Sequence, residues 1–398
     1  MFRNQFVRVV ENAFGTRKYR RTGRPLTQAV LTLCALCALC GEITAQEFRT
    51  LKDGIEYAEV TREIGGLKVN MTLLRLDLTK VRLDVHHAMD AAIGTEKTSS
   101  IAARHGAFAA INAGFFRLDS SIWAGDAAGV LQIDDWLYSE SYAGRVALFI
   151  DDNQSDRATV RIEKLNVIDT VEIKGKKFEV ARNRQLGKDD LVMFTTPFHT
   201  TTLTDPSILE VIVRKKKVFK IVDGVGSSQI PHDGYVLSAS GAKRDELLRL
   251  VNVGTKIKGS LRVGSDADFV ARTAFNNAQD IVGGVPQLIK NGKIDITWEQ
   301  EKTTKSFVET RHPRTAVAKL RDGKFLLITV DGRSESSGGI GLQDLAEYLL
   351  SLGATDAMNL DGGGSTTMFV DGKVVNHPSD KEGERKVSDA ILVTQRKK

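Results

Sequence analysis

Alternating apolar and polar positions mark the first predicted elements of the chain. Leu67–Leu76 and Val81–His87 both show the two-residue period of a half-buried β-strand. Ser99–Gly106 has the pattern of a short helix, and Ala107–Asn112 is a continuous apolar run that indicates a buried strand. The pattern therefore predicts strands interrupted by one helix in this part of the chain.

From about residue 125 to 300, short β-type runs alternate with turn signals. Val171–Val180, Glu210–Ile221 and Gln287–Thr297 each contain a turn between two alternating runs, which predicts a hairpin. The basic cluster Arg214–Lys217 falls at the turn of the second hairpin. We interpret it as a solvated hairpin tip, with an anion site as the alternative.

The last quarter of the chain adds a helix between two strands. Phe325–Val330 predicts a buried strand, Leu342–Leu350 has helical spacing with Gly353 as its C-cap, and Ala354–Leu360 predicts another strand. A hairpin around Asp371-Gly372 follows. This succession predicts an α/β fold with an α+β tendency. We expect a mixed β-sheet core with flanking helices and a β-rich middle portion at about 150–265.

The N-terminus has the pattern of a signal peptide. Seven Lys and Arg residues precede the apolar run Ala29–Leu39, which is shorter than the roughly 20 residues that a membrane-spanning helix needs. We expect cleavage after Ala45, with an uncleaved membrane anchor as the alternative. Residues 46–98 then form a β-strand lead-in, and residues 99–398 form the main domain. The leader predicts an exported protein, periplasmic or secreted.

The leader also changes what composition and charge imply. Cys34, Cys37 and Cys40 all lie inside it, so the mature chain has no disulfide, thiolate metal site or cysteine nucleophile. The net charge of +6 falls to +1 from Gln46 onward, because the leader holds seven basic and two acidic residues. Composition therefore gives no reason to expect a nucleic-acid partner. A membrane partner is expected only through an uncleaved leader.

The segment that begins at Asp361 is the most informative for chemistry. Consecutive glycines are costly to order, so they indicate a sharp bend or a close approach to a ligand. Their exposed N–H groups can form an anion-binding nest, although an ordinary glycine turn is the alternative. The predicted phosphate-binding residues of this segment are Gly362, Gly363, Gly364, Ser365 and Thr366.

Four further segments supply candidate binding groups. Arg314 could present a planar fork to a phosphate, and Asp331 with Arg333 places a carboxylate and a guanidinium after a buried strand. Asn112 could bind a sugar hydroxyl or acetamido group. The structural alternative is a surface basic cluster for Arg314 and a loop ion pair for Asp331 with Arg333. For the phenylalanines that follow Asn112 it is core packing. The remaining candidates are Gly283 and Gly284, where the backbone could approach a ligand, and Phe115 or Phe116, one of which could stack on a sugar.

Other hydrolase classes lack their patterns. The seven histidines show no His-x-x-x-His ligand spacing, and no Gly-x-Ser-x-Gly elbow follows a convincing strand. Serine hydrolase and zinc enzyme interpretations are therefore disfavoured.

Taken in order, the motifs resemble the phosphodiester glycosidase family from about residue 99 to 395. Ala318 departs from the glycine expected after Pro-Arg-Thr-Ala-Val. The resemblance implies a hydrolase that releases a sugar, expected to be an N-acetylhexosamine, from a sugar-1-phosphodiester or related cell-surface glycan. Bacterial members resemble exopolysaccharide proteins. The motifs that carry the resemblance are Ala110–Phe116, Gly283–Pro286, Pro313–Val317, Val330–Arg333 and Asp361–Met368.

A phosphate leaving group is stable as an anion, so cations and N–H groups help its departure more than a general acid does. We expect Arg314, Arg333 and the glycine segment to perform that role. A carboxylate is still needed on the other face of the sugar, with Asp361 as the first choice and Asp331 as the second. The expected partner is thus a carbohydrate or glycosyl phosphate. The sequence requires no cofactor, with a divalent metal ion as the alternative.

Two rival functions stay open. One is a metal-dependent phosphodiesterase in which Asp331, Asp361 and Asp126 hold a divalent ion. The other is a non-catalytic polysaccharide-binding protein.

Overall fold

A computed structural model describes residues 48–142, 144–152, 156–264 and 268–396. Glu47–Lys398 forms one compact unit. The predicted signal peptide and its three cysteines lie outside the described residues. No helix among the described residues is long and apolar enough to cross a membrane.

The predicted α/β class is wrong. Of the described residues, 46% are in strands and 13% are in helices, and they form five sheets with few helices. The physical reason is that the sheets bury their apolar faces chiefly against one another, and all but one of the pairings between the described strands are antiparallel. An α/β sheet would need crossover helices on both faces.

The largest sheet has eight strands and carries the segments of greatest interest. Its central strands are far apart in the sequence, because Leu67–Leu76 pairs with Phe325–Val330. In spatial order the strands are β1 (Arg49–Lys52), β2 (Ile55–Ile64), β3 (Leu67–Leu76), β22 (Phe325–Val330), β21 (Arg314–Leu320), β23 (Ala354–Asn359), β19 (Gln287–Lys290) and β20 (Lys293–Ile294).

Two five-stranded sheets face it. The first contains β25 (Lys373–Val374), β24 (Met368–Val370), β6 (Ala109–Asn112), β27 (Asp389–Gln395) and β4 (Val81–His87). The second contains β10 (Thr159–Lys164), β9 (Val146–Asp151), β18 (Asp280–Gly283), β7 (Leu131–Ile133) and β8 (Trp136–Ser139).

The β-rich middle portion forms a seven-stranded sheet, and a two-stranded sheet completes the set. The seven strands are β15 (Lys217–Val222), β14 (Leu209–Arg214), β16 (Gly234–Ala239), β13 (Leu191–Thr195), β12 (Lys176–Arg182), β11 (Asn166–Ile173) and β17 (Ile257–Gly264). The two-stranded sheet pairs β26 (Lys386–Val387) with β5 (Glu96–Lys97).

In the described part of the chain, five α-helices pack at the edges and outer faces of this framework. They are α1 (Thr98–Arg104), α2 (Gly241–Leu250), α3 (Asp268–Asn277), α4 (Lys305–Glu309) and α5 (Leu342–Ser351). Helix α5 is amphipathic, and its face with Leu345 and Leu349 covers Ala318 and Ile328 on the eight-stranded sheet. Single turns of 3-10 helix occur at Ala88–Asp90 and Gly363–Ser365.

The main core lies where the eight-stranded sheet meets the two five-stranded sheets. Leu74 and Phe325 from the first sheet, Ile391 from the second and Leu148 and Val282 from the third belong to one buried cluster. The seven-stranded sheet has a separate cluster around Val211 and Leu237. The main core therefore fixes the ends of β21, β22 and β23 relative to β6 and β27.

Many single elements match their sequence patterns. The strands at Leu67–Leu76, Val81–His87 and Phe325–Val330 are confirmed with the predicted bounds. The Arg214–Lys217 hairpin tip is confirmed, since β14 pairs with β15 across it. Gly353 has a φ of +89°, the left-handed conformation expected of a helix-ending glycine.

Candidate active site

The two predicted catalytic aspartates follow strands that flank a third. Strand β21 pairs antiparallel with β22 on one side and with β23 on the other, and its Arg314 end lies opposite the ends of both. Asp331 follows β22 and Asp361 follows soon after β23. Both residues therefore emerge at the sheet edge where β21 begins.

The glycine loop (Asp361–Thr366) packs closely on the residue before β21. The N–H of Gly363 donates to the Pro313 carbonyl at 2.9 Å, and a Cβ on Gly362 would lie 2.8 Å from the same oxygen. Gly363 also has a φ of +61°. Close approach and a left-handed backbone explain why glycines stand here.

Most N–H groups of the glycine loop bond within the protein. Gly363 donates to Pro313, Ser365 to the Gly362 carbonyl and Thr366 to the Gly363 carbonyl. The Gly364 N–H has no acceptor among the described residues. The predicted anion nest thus has one uncommitted backbone donor, and its role in binding phosphate stays a prediction.

Asn112 lies at the end of β6 and ties the glycine loop to the strands. Its Nδ2 donates to the Asp361 carbonyl at 2.8 Å, and its Oδ1 accepts from Thr315 Oγ1 at 2.8 Å and from the Thr367 N–H at 3.0 Å. Asn112 is fully buried. The amide therefore positions the loop, and sugar binding by Asn112 stays a prediction.

Arg314 is buried beside the glycine loop. Its guanidinium donates to the carbonyls of Phe307 at 2.7 Å, Thr310 at 2.8 Å and Ile340 at 3.3 Å, and it lies 5.0 Å above the Phe307 ring. Burial, together with the charge of Arg333, lowers the pKa of Arg314 to about 10. These contacts fix the entry to β21. The predicted phosphate contact by Arg314 stays untested.

Arg333 is exposed directly over the glycine loop. A Cβ on Gly363 would lie 3.1 Å from Arg333 Nη2, and the same nitrogen is 3.3 Å from His312 Nδ1. Burial and the charges of Arg314 and Arg333 lower the pKa of His312. Among the described residues no carboxylate forms an ion pair with Arg333, so its charge is available to a ligand.

Asp361 is a buried carboxyl group at this edge, and its pKa is strongly raised. Burial raises the pKa of Asp361 to about 6. The neighbouring Ser365 hydroxyl, the Gly362 N–H and the Arg385 guanidinium act in the opposite direction and lower it. The charge of Asp389 raises it further. A raised pKa in a carboxylate beside cations is common at catalytic sites.

Sequence reasoning missed two charged residues of this site. Asp389 is buried at the start of β27 and accepts from the Gly114 N–H at 2.5 Å and from Ser388 Oγ at 2.7 Å. Arg385 is paired with Asp380 at 2.7 Å. Asp389 could have been found from the sequence, because it is an acidic residue directly before the apolar run Ala390–Val393. Arg385 lies in the charged run Lys381–Lys386, which has the pattern of a solvated loop.

Asp331 joins the site from the other strand. Its Oδ1 accepts from the His377 N–H at 2.9 Å and from Asn376 Nδ2 at 3.3 Å, and Asn376 Nδ2 also donates to the Thr366 carbonyl at 3.0 Å. Burial raises the pKa of Asp331. Asn376 therefore connects Asp331 to the end of the glycine loop.

Gly283 is the last residue of β18 and lies against Val130, whereas Gly284 lies against the end of β23. A Cβ on Gly284 would lie 2.4 Å from the Asn359 carbonyl and from Met358 Cε, so close sheet packing explains this glycine. The Val285–Pro286 peptide that follows is cis. Ligand contact by this pair stays a prediction.

Phe116 packs in the cluster under α1, which confirms that at least one of the two phenylalanines belongs to the core. Phe115 lies 6.2 Å from the Phe307 ring, near Arg314.

The donors proposed for a metal phosphodiesterase do not converge. In the described part of the chain, the set of His, Cys, Asp and Glu residues close enough to share one ion is His86, Asp90 and His105. Burial raises the pKa of Asp126 to about 7, although the charges of the nearby Arg117 and Arg184 lower it. It does not group with Asp331 and Asp361.

Comparison with known proteins shows which family the chain resembles. Residues 208–394 match the model of the phosphodiester glycosidase family. N-acetylglucosamine-1-phosphodiester alpha-N-acetylglucosaminidase from mouse is 32% identical over 171 residues, which cover 41% of this chain. The resemblance to the phosphodiester glycosidase family is confirmed. The match covers 32% of the mouse protein, so the chain spans about a third of that relative's length.

Two solved structures resemble the fold of this chain. A hypothetical protein from Synechocystis superposes with a TM-score of 0.73 at 22% identity, covering 88% of this chain and 64% of its own. A predicted exported protein from Burkholderia pseudomallei gives a TM-score of 0.70 at 25% identity, covering 82% and 74%. These similarities support the fold across most of the chain. The family match itself includes Arg314, Asp331, Arg333, Asp361 and Asp389.

Proposed function

We propose that this protein hydrolyses sugar-1-phosphodiesters as a glycosidase, releasing the free sugar and a phosphate monoester. The observation that carries the proposal is the placement of the unpaired Arg333 over the glycine loop that begins at Asp361. A cation suited to an anionic leaving group thereby lies over the loop that begins with a carboxylate suited to the sugar. The name of the mouse relative supports the same substrate class.

In this proposal Arg333 binds the phosphate and stabilises the charge that develops when the glycosidic C–O bond breaks. The Gly364 N–H is a second donor. Arg314 stays at its three carbonyls and adds positive charge behind the loop. Asp361 acts on the opposite face of the sugar, either as nucleophile or as base for water.

The sugar subsite is assigned to the side of the loop near Phe115. Its ring is partly exposed, and an aromatic face suits the apolar face of a pyranose. An N-acetylhexosamine is the proposed sugar, in accord with the name of the mouse relative. We also propose that the protein works outside the cytoplasm, where the leader pattern would send it.

Hydrolysis in oxygen-18 water tests the reaction type. With an N-acetylglucosamine 1-(methyl phosphate) substrate, the proposal expects the label at C1 of the released sugar and none in methyl phosphate. Label in the phosphate would instead show P–O cleavage and support the phosphodiesterase. The absence of turnover on any sugar-1-phosphodiester would favour the polysaccharide-binding protein.

Substitution of Asp361 tests the site. Asp361→Asn should lower kcat by at least about a thousandfold, and Arg333→Ala by about a hundredfold, because each removes a group used in the transition state. Asp371→Asn is the matched control, since Asp371 is an exposed carboxylate at a hairpin turn. Equal activity of Asp361→Asn and the control would overturn the assignment.

A further inference from the structure

Two imidazoles and a carboxylate meet at a surface outside the glycine loop. His86 lies near the end of β4, Asp90 in the turn that follows, and His105 at the C-terminal cap of α1. Their nitrogen and oxygen atoms lie within 4.8 Å of one another. The residues come from three elements, so the fold and not local sequence brings them together.

The geometry of the cluster is closely defined. The His86 and His105 rings stack with centroids 3.6 Å apart and planes 21° apart. Asp90 Oδ1 lies 2.9 Å from His105 Nε2. Asp90 is held in position by a turn in which Met89 has a φ of 59° and donates its N–H to Glu96 Oε2 at 2.8 Å.

We propose that His86, Asp90 and His105 bind a divalent transition-metal ion of the Zn²⁺, Co²⁺ or Ni²⁺ class. Two imidazole nitrogens and one carboxylate oxygen are a common ligand set for such ions, with water in the remaining positions. Mg²⁺ and Ca²⁺ prefer oxygen ligands, so the two histidines select against them. This proposal does not depend on the proposed function.

Arg104 acts as the internal competitor for the metal. Its guanidinium pairs with Asp90, lies 3.0 Å from His105 Nε2 and reaches Glu96 at 3.0 Å. The Arg104 side chain is 32% exposed. It can therefore turn away from Asp90 and keep its pair with Glu96 when a cation enters. Removing this positive charge should strengthen metal binding, since like charges at such a distance repel.

The site would join three parts of the fold. Strand β4 pairs with β27, and His87 lies opposite Asp389 in this pairing. His86 precedes His87 on β4, so its side chain points to the other face of the strand. Helix α1 is tied at its other end to Glu384, which accepts from the Ser99 N–H at 2.7 Å. A metal ion would fix the second end of α1 to β4. We therefore expect metal binding to raise the melting temperature.

Metal titration of tag-free, EDTA-treated protein tests the proposal. Co²⁺ should give a visible d–d absorption band that saturates at one ion per chain, and Zn²⁺ should displace it. His86→Asn and His105→Asn should each weaken binding by at least about tenfold, a loss of about 1.4 kcal/mol. Arg104→Gln should tighten binding several-fold, whereas Mg²⁺ should not compete.

His232→Asn is the matched control, because His232 is exposed and lies outside the cluster. It should leave the band and the Zn²⁺ affinity unchanged. Circular dichroism in EDTA checks that each variant is folded, and Asp90→Asn serves as a ligand variant on the exposed turn. Equal Zn²⁺ affinity in wild type, His86→Asn and Asp90→Asn would overturn the proposal and leave the cluster as a surface hydrogen-bond network.

Discussion

Single residues decide how the site responds to pH. The pKa of Asp361 lies near 6 because burial disfavours its charged form, and Asp389 adds a second negative charge. In the unfolded chain this carboxyl has its ordinary pKa of 3.8. Folding therefore becomes less favourable as the pH rises from about 4 to 6, and the cost is constant above that range. Under the proposed function, the carboxylate that would act at neutral pH therefore also weakens the fold.

Asp361→Asn should accordingly stabilise the protein at about pH 8, by up to about 3 kcal/mol, while it removes activity. The gain should shrink to about 1 kcal/mol near pH 4.5, where Asp361 is mostly protonated in the folded state. Urea unfolding at both pH values measures the difference. Asp371→Asn should show no pH-dependent gain, and a gain of equal size at both pH values would contradict the assigned pKa.

The site shows what the residue pattern can and cannot predict. Asp331, Arg333 and Asp361 stood out because each follows a buried strand, and the structure brings them to one sheet edge. Asp389 and Arg385 did not stand out, because a sequence does not show that β27 lies beside β6. The internal hydrogen bonds of Asn112 were equally invisible, since they join β6 to partners more than two hundred positions away.

At the scale of elements, the glycine loop depends on the loop that carries Arg385. A Cβ on Gly364 would lie 2.2 Å from both Arg385 Nη2 and Asp380 Oδ1. That distance is far inside van der Waals contact, so the ion pair would have to move. Because Arg385 helps to lower the pKa of Asp361, the movement would reach the carboxylate as well.

Gly364→Ala should therefore lower kcat/KM by at least about a hundredfold with the fold retained. Gly259→Ala is the control, because its Cβ would lie 3.9 Å from the Tyr235 hydroxyl, an ordinary contact. Steady-state kinetics and circular dichroism measure both variants. Full activity of Gly364→Ala would show that the Arg385–Asp380 pair is not needed for catalysis.

The elements themselves were more predictable than their arrangement. Period-two alternation located β3 and β4, and helical spacing located α5, because these signals are local. The strand, helix and strand succession of β22, α5 and β23 contributed to the predicted α/β class, which is wrong. Strand β21 lies between β22 and β23 and pairs antiparallel with both. That insertion is a long-range pairing, which local patterns do not contain.

For the whole molecule, one core holds three sheets together. Phe325 is fully buried in that core, whereas Phe219 in the seven-stranded sheet is 57% exposed. Phe325→Ala should cost about 3–5 kcal/mol of folding free energy, because it leaves a cavity where the sheets meet. Phe219→Ala should change the stability by less than about 0.5 kcal/mol.

Chemical unfolding with activity as a second probe tests this prediction. Activity and secondary structure should be lost together in Phe325→Ala, since the same core positions β21, β22 and β23. Loss of activity well before loss of strand signal would show that the site edge is held independently of the core.

The buried guanidinium of Arg314 has a consequence for the surrounding medium. Arg314 is held by carbonyl groups and no ion pair opposes it in the described part of the chain, so it contributes a permanent positive potential beneath the loop. Dissolved ions screen the exposed Arg333 far more than a buried charge. As ionic strength rises, the electrostatic attraction of an anionic substrate should therefore decrease but not vanish. The remaining attraction comes from Arg314, whose buried charge is screened little by salt.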